Sequence, residues 1–269
     1  MLLTVLSLTA CFAVRLVASA EAPPSDWVAT ITPQLKSNNL DPELLKGDNA
    51  RWLSTPCLSH DGSMTPLMFC AKDGCRPKTV KLLLEAGAEV ATLHNTGTTA
   101  IMFAAREGSR ETLKVLVDAA ATAGIVESQL AAVDEHGNNA LLLGALQSSC
   151  PSCARVLLDA TNARDWALAK NVNGNTALQV SAFYSVSDHF LKELLKDETI
   201  RQHVDEGADG NGRTALMLAC SANSPDNVIA LLKAGADPTL TSGGTTALAL
   251  AGEKNPQLLP LLRGKVGEL

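Results

Sequence analysis

The sequence predicts an all-α fold, a solenoid of stacked helix-turn-helix units. Three observations carry this expectation. A triplet of Thr or Asn, then Pro or Ala, then Leu or Ile recurs six times, and in five copies a Gly lies two residues before it. Small residues at helical spacing follow each triplet, and a polar break separates them from a second apolar run. The unit is therefore two short helices with a turn between them, repeated along the chain.

The elements follow in order. From Leu2 to Ala20 there is no acidic residue, no Lys and a single Arg15, and the run ends in Ala18-Ser19-Ala20 ahead of Glu21-Ala22-Pro23-Pro24. Residues 1–20 read as a secretory signal peptide with an A-x-A cleavage site after Ala20. The missing basic n-region and the position of Arg15 leave room for an uncleaved membrane anchor or a buried N-terminal helix. Leu8-Thr9-Ala10-Cys11 resembles a lipobox, but apolar residues continue past Cys11. No later apolar run is long enough to cross a bilayer. Residues 21–56 read as an N-terminal cap, with a short helix after Ser25 and a second turn of helix at Asp41-Pro42-Glu43-Leu44-Leu45-Lys46-Gly47, which has an N-cap, a Pro in first position and a closing Gly.

The array occupies residues 57–265, with 266–269 as a tail. Its triplets open at Thr65, Thr99, Asn139, Thr176, Thr214 and Thr246, spaced by 34, 40, 37, 38 and 32 residues. The preceding glycines are Gly97, Gly137, Gly174, Gly212 and Gly244, and a Gly at one fixed place marks a tight turn with positive φ. Second apolar runs lie at Val80–Leu84, Leu113–Val117, Arg155–Leu158, Leu191–Leu195 and Val228–Leu232, and Leu258–Leu262 reads as the last helix. Glu85-Ala86-Gly87-Ala88 and Lys233-Ala234-Gly235-Ala236-Asp237 end second helices with a Gly suited to a left-handed C-cap. Ala121–Val133 is an insertion.

These residues resemble the ankyrin repeat family, whose unit opens with G-x-T-P-L-H-x-A and closes with L-L-x-x-G-A-D. Gly212 through Asp237 is the nearest match. The motif His is replaced throughout, by Met68, Met102, Leu142, Gln179, Met217 and Ala249, so the local hydrogen bonding that it supplies in the family is expected to be missing. The resemblance implies a right-handed ankyrin-repeat solenoid, its helix-turn-helix units joined by β-hairpin-like loops and each repeat packed only on its neighbours.

Composition excludes several classes of function. The net charge is -6, without long Lys/Arg clusters, so nucleic acid is not an expected partner. Only nine of 269 residues are aromatic, too few for stacked-base platforms or aromatic cofactor pockets. No Walker A loop, G-x-S-x-G elbow, H-E-x-x-H or dinucleotide fingerprint is present, so no enzymatic activity and no cofactor are expected. Asp205–Gly212 has a faint likeness to a calcium loop, but the twelfth-position Glu is missing, and a hairpin between repeats is the expectation. The His residues at 60, 94, 136, 189 and 203 show no ligand spacing, and no metal site is expected. Cys70 and Cys220 read as buried small hydrophobes. Cys150-Pro151-Ser152-Cys153 is a candidate local disulfide in an oxidising compartment, with two free thiols as the alternative.

What remains is a surface for another protein. The resemblance implies a concave groove lined by hairpin tips and the ends of the first helices. By repeat position the tips put forward Asn95, Thr96, Thr98, Glu135, His136, Asn138, Asn173, Asn175, Asn211 and Arg213. The helix ends put forward Lys72, Asp73, Arg106, Glu107, Leu146, Gln147, Phe183, Tyr184, Glu253 and Lys254. Phe183 and Tyr184 stand where other repeats hold mostly charged or polar residues. They are either an interface hot spot or a cover for an irregular fourth repeat. The expected function is thus a monomeric, non-enzymatic module binding a protein partner, secreted or in the secretory pathway. The alternatives are an accessory or redox-linked role for Cys150 and Cys153, and a cytoplasmic or membrane-anchored scaffold.

Overall fold

The structure, a computed structural model, describes residues 22–58, 63–147, 150–184, 189–207 and 212–266. The N-terminal segment read as a signal peptide, His60, Asn211 and residues 267–269 lie outside them. Among the described residues no helix is long and apolar enough to cross a membrane.

The cap comes first. Helix α1 (Ser25–Ser37) buries Trp27, Ile31 and Leu35, a spacing of four that keeps one face inward. Asp41 accepts a hydrogen bond from the Glu43 backbone and opens a 3-10 turn at Pro42–Leu45, and a second 3-10 stretch runs over Gly47–Ser54. The expected second turn of helix is thus a 3-10 turn that ends at the extended Lys46, and the second piece opens at Gly47, whose φ of 61° turns the chain.

Six helix pairs follow: α2 (Pro66–Asp73) with α3 (Pro77–Glu85), and α4 (Ala100–Glu107) with α5 (Arg110–Thr122). Helix α6 (Val126–Ala131), formed by the insertion, precedes α7 (Ala140–Gln147) and α8 (Pro151–Asp159). Next are α9 (Ala177–Tyr184) with α10 (His189–Leu195), and then α11 (Glu198–Gln202). Helices α12 (Ala215–Ser221) and α13 (Pro225–Lys233) lead to the hairpin β1 (Thr241–Ser242) and β2 (Thr245–Thr246), which opens α14 (Ala247–Lys254) and α15 (Leu259–Val266). The first helices α2, α4, α7, α9, α12 and α14 each pack on the next, and so do the second helices α3, α5, α8, α10, α13 and α15. The result is two parallel layers of helices with a continuous core between them.

The triplet works as a helix cap. The hydroxyls of Thr65, Thr99, Thr214 and Thr246 and the amide oxygen of Asn139 accept from the backbone N–H three residues on, at 3.0–3.3 Å. The loss of the motif His is not uniform in its effect. In repeat four Gln179 takes over, its Oε1 accepting from the Thr176 N–H at 2.7 Å and from the Thr176 hydroxyl at 2.9 Å. Met68, Met102 and Met217 are fully buried between the layers.

The cysteines require a correction. Cys70 is buried, but as half of a disulfide with Cys75 rather than as a free small hydrophobe. Gly74 takes φ 71° at the C-cap of α2, and the chain turns back so that the Cys75 N–H meets the Cys70 carbonyl at 3.0 Å. That turn sets the two sulfurs side by side. Cys150, the N-cap of α8, is joined to Cys153. Cys57 and Cys220 are free thiols, and burial pushes them up to about 11 and about 12.

Candidate protein-binding groove

The site is built on the hairpin tips, each closed by its own backbone. His94, Asp134 and Asn171 donate N–H to the carbonyls of Thr98, Asn138 and Asn175, and accept from Gly97, Gly137 and Gly174, at 2.8–3.0 Å. Their side chains brace the same turn. Asp134 Oδ1 accepts from the backbones of His136 and Asn138, and Asn171 Oδ1 from those of Asn173 and Asn175. His94 Nδ1 accepts from the Thr96 N–H at 3.3 Å, and its Nε2 pairs with Ser63 Oγ at 2.6 Å. These three organising residues are not among the sequence candidates. The available signal was a residue with a short side-chain acceptor five positions before the triplet.

Neighbouring tips are stitched together. The Glu135 N–H donates to the Thr96 carbonyl and the Val172 N–H to the His136 carbonyl, each at 3.0 Å. Asn171 Nδ2 adds a bond to Asn138 Oδ1 at 3.0 Å. The tips of repeats two to four therefore form one continuous rim.

Two of the candidates are buried in the rim. Thr98 and Asn138 are 6% and 5% exposed: the Thr98 hydroxyl pairs with that of Thr96 in its own tip, and Asn138 bonds Asp134 and the Asn171 side chain of the adjacent tip. Asn138 thereby braces the rim, and Thr98 also lines the recess around Lys72, His94 and Arg106. Thr96, Asn175, Arg106 and Arg213 are half-buried, whereas Lys72, Asp73, Asn95, Glu107, Glu135, His136, Leu146, Gln147, Asn173, Glu253 and Lys254 are exposed.

The first helices complete the floor. Lys72, Arg106, Leu146 and Phe183 hold the same position, seven residues after the opening Thr or Asn, on α2, α4, α7 and α9. Arg106 lies over the Phe103 ring, 5.1 Å from its centroid, and gives its Nε to Glu107 at 3.2 Å. Phe183 and Tyr184 are 39% and 57% exposed, with their rings edge to face at 4.8 Å. Two recesses open along this face. One of about 540 Å³ is lined by Lys72, His94, Phe103, Arg106 and the Asp134–His136 tip, and one of about 150 Å³ by Gln179, Val180, Phe183, Tyr184, Arg213 and Leu218. Among the described residues no three His, Cys, Asp or Glu side chains gather as a metal site.

The family model described as ankyrin repeats matches residues 37–128, 67–168, 162–242 and 186–265. The chain belongs to the ankyrin repeat family. The first match begins inside the segment expected to be the cap. No curated protein matches the sequence. Among solved structures, the ankyrin repeat domain of Bcl-3, a member of the IkappaB family, is similar at 28% identity and TM-score 0.59, over 76% of this chain and 85% of that one. A chain of the complex between the predatory endopeptidase Bd0816 of Bdellovibrio bacteriovorus and the immunity protein Bd3460 is 24% identical, with TM-score 0.59, over 76% and 99%. The ankyrin repeat protein EF0377 is 22% identical, with TM-score 0.61, over 77% and 98%. Ankyrin arrays are protein-interaction scaffolds, and the findings point to no enzymatic family.

Proposed function

We propose that this ankyrin array is a non-enzymatic module that holds one protein partner along the face made by the tips and the ends of the first helices, and that it works outside the cell or in the secretory pathway. The observation that carries the binding face is the exposed Phe183–Tyr184 pair at mid-array, on a floor of rigid helices beside a stitched rim. A large aromatic held open to solvent in the centre of a concave face is where interface energy concentrates. The candidate contacts are Lys72, Asp73, Arg106, Glu107, Leu146, Gln147, Phe183 and Tyr184 on the floor, and Asn95, Glu135, His136 and Asn173 on the rim.

The compartment is supported by the N-terminal apolar segment and by two disulfides, a combination suited to an oxidising environment. The redox-linked alternative for Cys150 and Cys153 gains nothing from their 7% and 0% exposure, since exchange needs a sulfur that an external thiolate can reach.

The test pairs two observations on protein from its own cells. The mature N-terminus is expected at Glu21, in the medium or the secretory pathway. The double variant F183A/Y184A is expected to lose a partner that co-purifies with the wild type and with C150S/C153S. A start at Met1 with the protein retained and its cysteines reduced would sink the compartment. Retention of the partner by F183A/Y184A would sink the face.

A further inference from the structure

We infer that the partner reaches this groove as an extended segment carrying a carboxylate and, about six residues away, an apolar anchor. The inference rests on the groove being the binding face and deepens that reading.

The carboxylate belongs in the larger recess. Lys72 and Arg106 both line it, and their acidic neighbours Asp73 and Glu107 do not. Glu107 engages the Nε of Arg106, and the contact of the guanidinium with the Phe103 ring leaves its terminal nitrogens for a second acceptor. Of the two anions that line the recess, Asp134 is committed to its own tip. Asp134 accepts at Oδ1 from the His136 and Asn138 backbones and at Oδ2 from Asn138 Nδ2, whereas the exposed Glu135 carboxylate lies 3.9 Å from His136 Nε2, beyond hydrogen-bond distance. Lys72 and the far edge of Arg106 are the cationic donors that the recess offers to a carboxylate, which would sit on their side of it, away from Asp134 and Glu135. The net charge of -6 repels an acidic segment at long range, but that repulsion is screened beyond about 8 Å at physiological salt, and the recess acts at contact.

The anchor belongs in the smaller recess. Its volume of about 150 Å³, lined by Val180, Phe183, Tyr184 and Leu218 with Asn175, Gln179 and Arg213 around them, is roughly what a benzene-sized group fills. Stacked helices lie about 8–10 Å apart. The larger recess centres on repeat two and the smaller lies between repeats four and five, so roughly 20 Å separates them, or about six residues of extended chain. Leu146 lies between them on the same row, an apolar surface for the intervening residues.

The test is selection from a phage-displayed library of random peptides about sixteen residues long, enough to span both recesses, on the immobilised full chain. Enriched peptides are expected to carry Asp or Glu about five to seven residues from Trp, Phe, Leu or Ile. Binding of such a peptide should fall about tenfold or more in K72E/R106E, the size of one lost charge-assisted hydrogen bond, and recover when its acidic residue is changed to Lys. Both positions lie outside the core, and the circular dichroism spectrum of the variant is the control for folding. Peptides without acidic residues, lost in F183A/Y184A yet indifferent to K72E/R106E, would overturn the carboxylate and leave the groove standing. Peptides indifferent to both variants would overturn the groove itself, and a library yielding no enriched peptide would overturn a linear segment as the ligand.

Discussion

At the scale of single residues the rim is fixed by glycine geometry. Gly97 and Gly244 share φ 78°, but a Cβ on Gly97 would meet the Val133 carbonyl oxygen at 2.9 Å, while one on Gly244 would meet nothing within 4 Å. Gly244→Ala is therefore expected to cost about 1 kcal/mol for its backbone conformation alone. Gly97→Ala should cost at least about twice that, because the neighbouring tip must also give way. Denaturant unfolding of the two variants measures the difference, and equal losses would mean that the stitching between tips contributes nothing. These glycines were legible in the sequence because one residue type recurred at one place. The tip organisers were not, since His94, Asp134 and Asn171 perform one task with three different side chains. Asp205 offers a pH test. Burial holds its carboxyl above the usual range, a bond from the Asp237 N–H to its Oδ1 at 2.9 Å works against this, and the nearby Asp237 charge adds to it. A folded value above the unfolded one means that the native state binds the proton more tightly. Stability from this group is thus present at low pH and lost as pH rises from about 3.8 through the raised value. Asp205→Asn keeps the acceptor and removes the charge, so its melting temperature should exceed the wild type's at pH 7 and match it below pH 3.

At the scale of elements the turns between paired helices carry the covalent ties. Cys70 and Cys75 are five residues apart and bridge the end of α2 to the turn before α3, whereas Cys150 and Cys153 are three apart and lock the entry of α8. In the chain-entropy account loops this short contribute about 2 kcal/mol each. Changing either pair to Ser should lower stability by that order. Alkylation of the denatured, unreduced protein should then label Cys57 and Cys220 alone among the described cysteines. In the native state both should resist the reagent near neutral pH, since burial places them at about 11 and about 12 and keeps the thiolate scarce. Labelling of all six described cysteines would mean that neither bridge forms. The helix pairs were legible because each triplet opens one helix and each apolar run continues the next. The Cys70–Cys75 bridge was not, because a Cys in a small-residue helix looks the same whether it packs or pairs. What decides is the positive φ at Gly74. The insertion was seen as extra length, but its helix α6 arises from packing Gln129 and Leu130 against the array rather than from a motif of its own.

At the scale of the whole molecule the array is a one-dimensional stack whose functional surface is a row of equivalent positions. The row runs from cationic Lys72 and Arg106 to apolar Leu146 and Phe183, and it is the change along the row, not any single residue, that would select a partner. Truncating Phe183 or Tyr184 to Ala should weaken partner binding by about 2 kcal/mol, roughly thirtyfold, with little change in melting temperature because both rings are open to solvent. The repeat register made the row legible in the sequence. The burial of Thr98 and Asn138 was not legible, since it depends on how closely one tip lies against the next. The most direct test of the binding face is photo-crosslinking in the protein's own cells, with benzoylphenylalanine placed at Tyr184 in one variant and at Lys81, on the second-helix layer, in another. The account predicts a discrete adduct from position 184 and none from position 81. An adduct from position 81 alone would place the partner on the opposite face and contradict it.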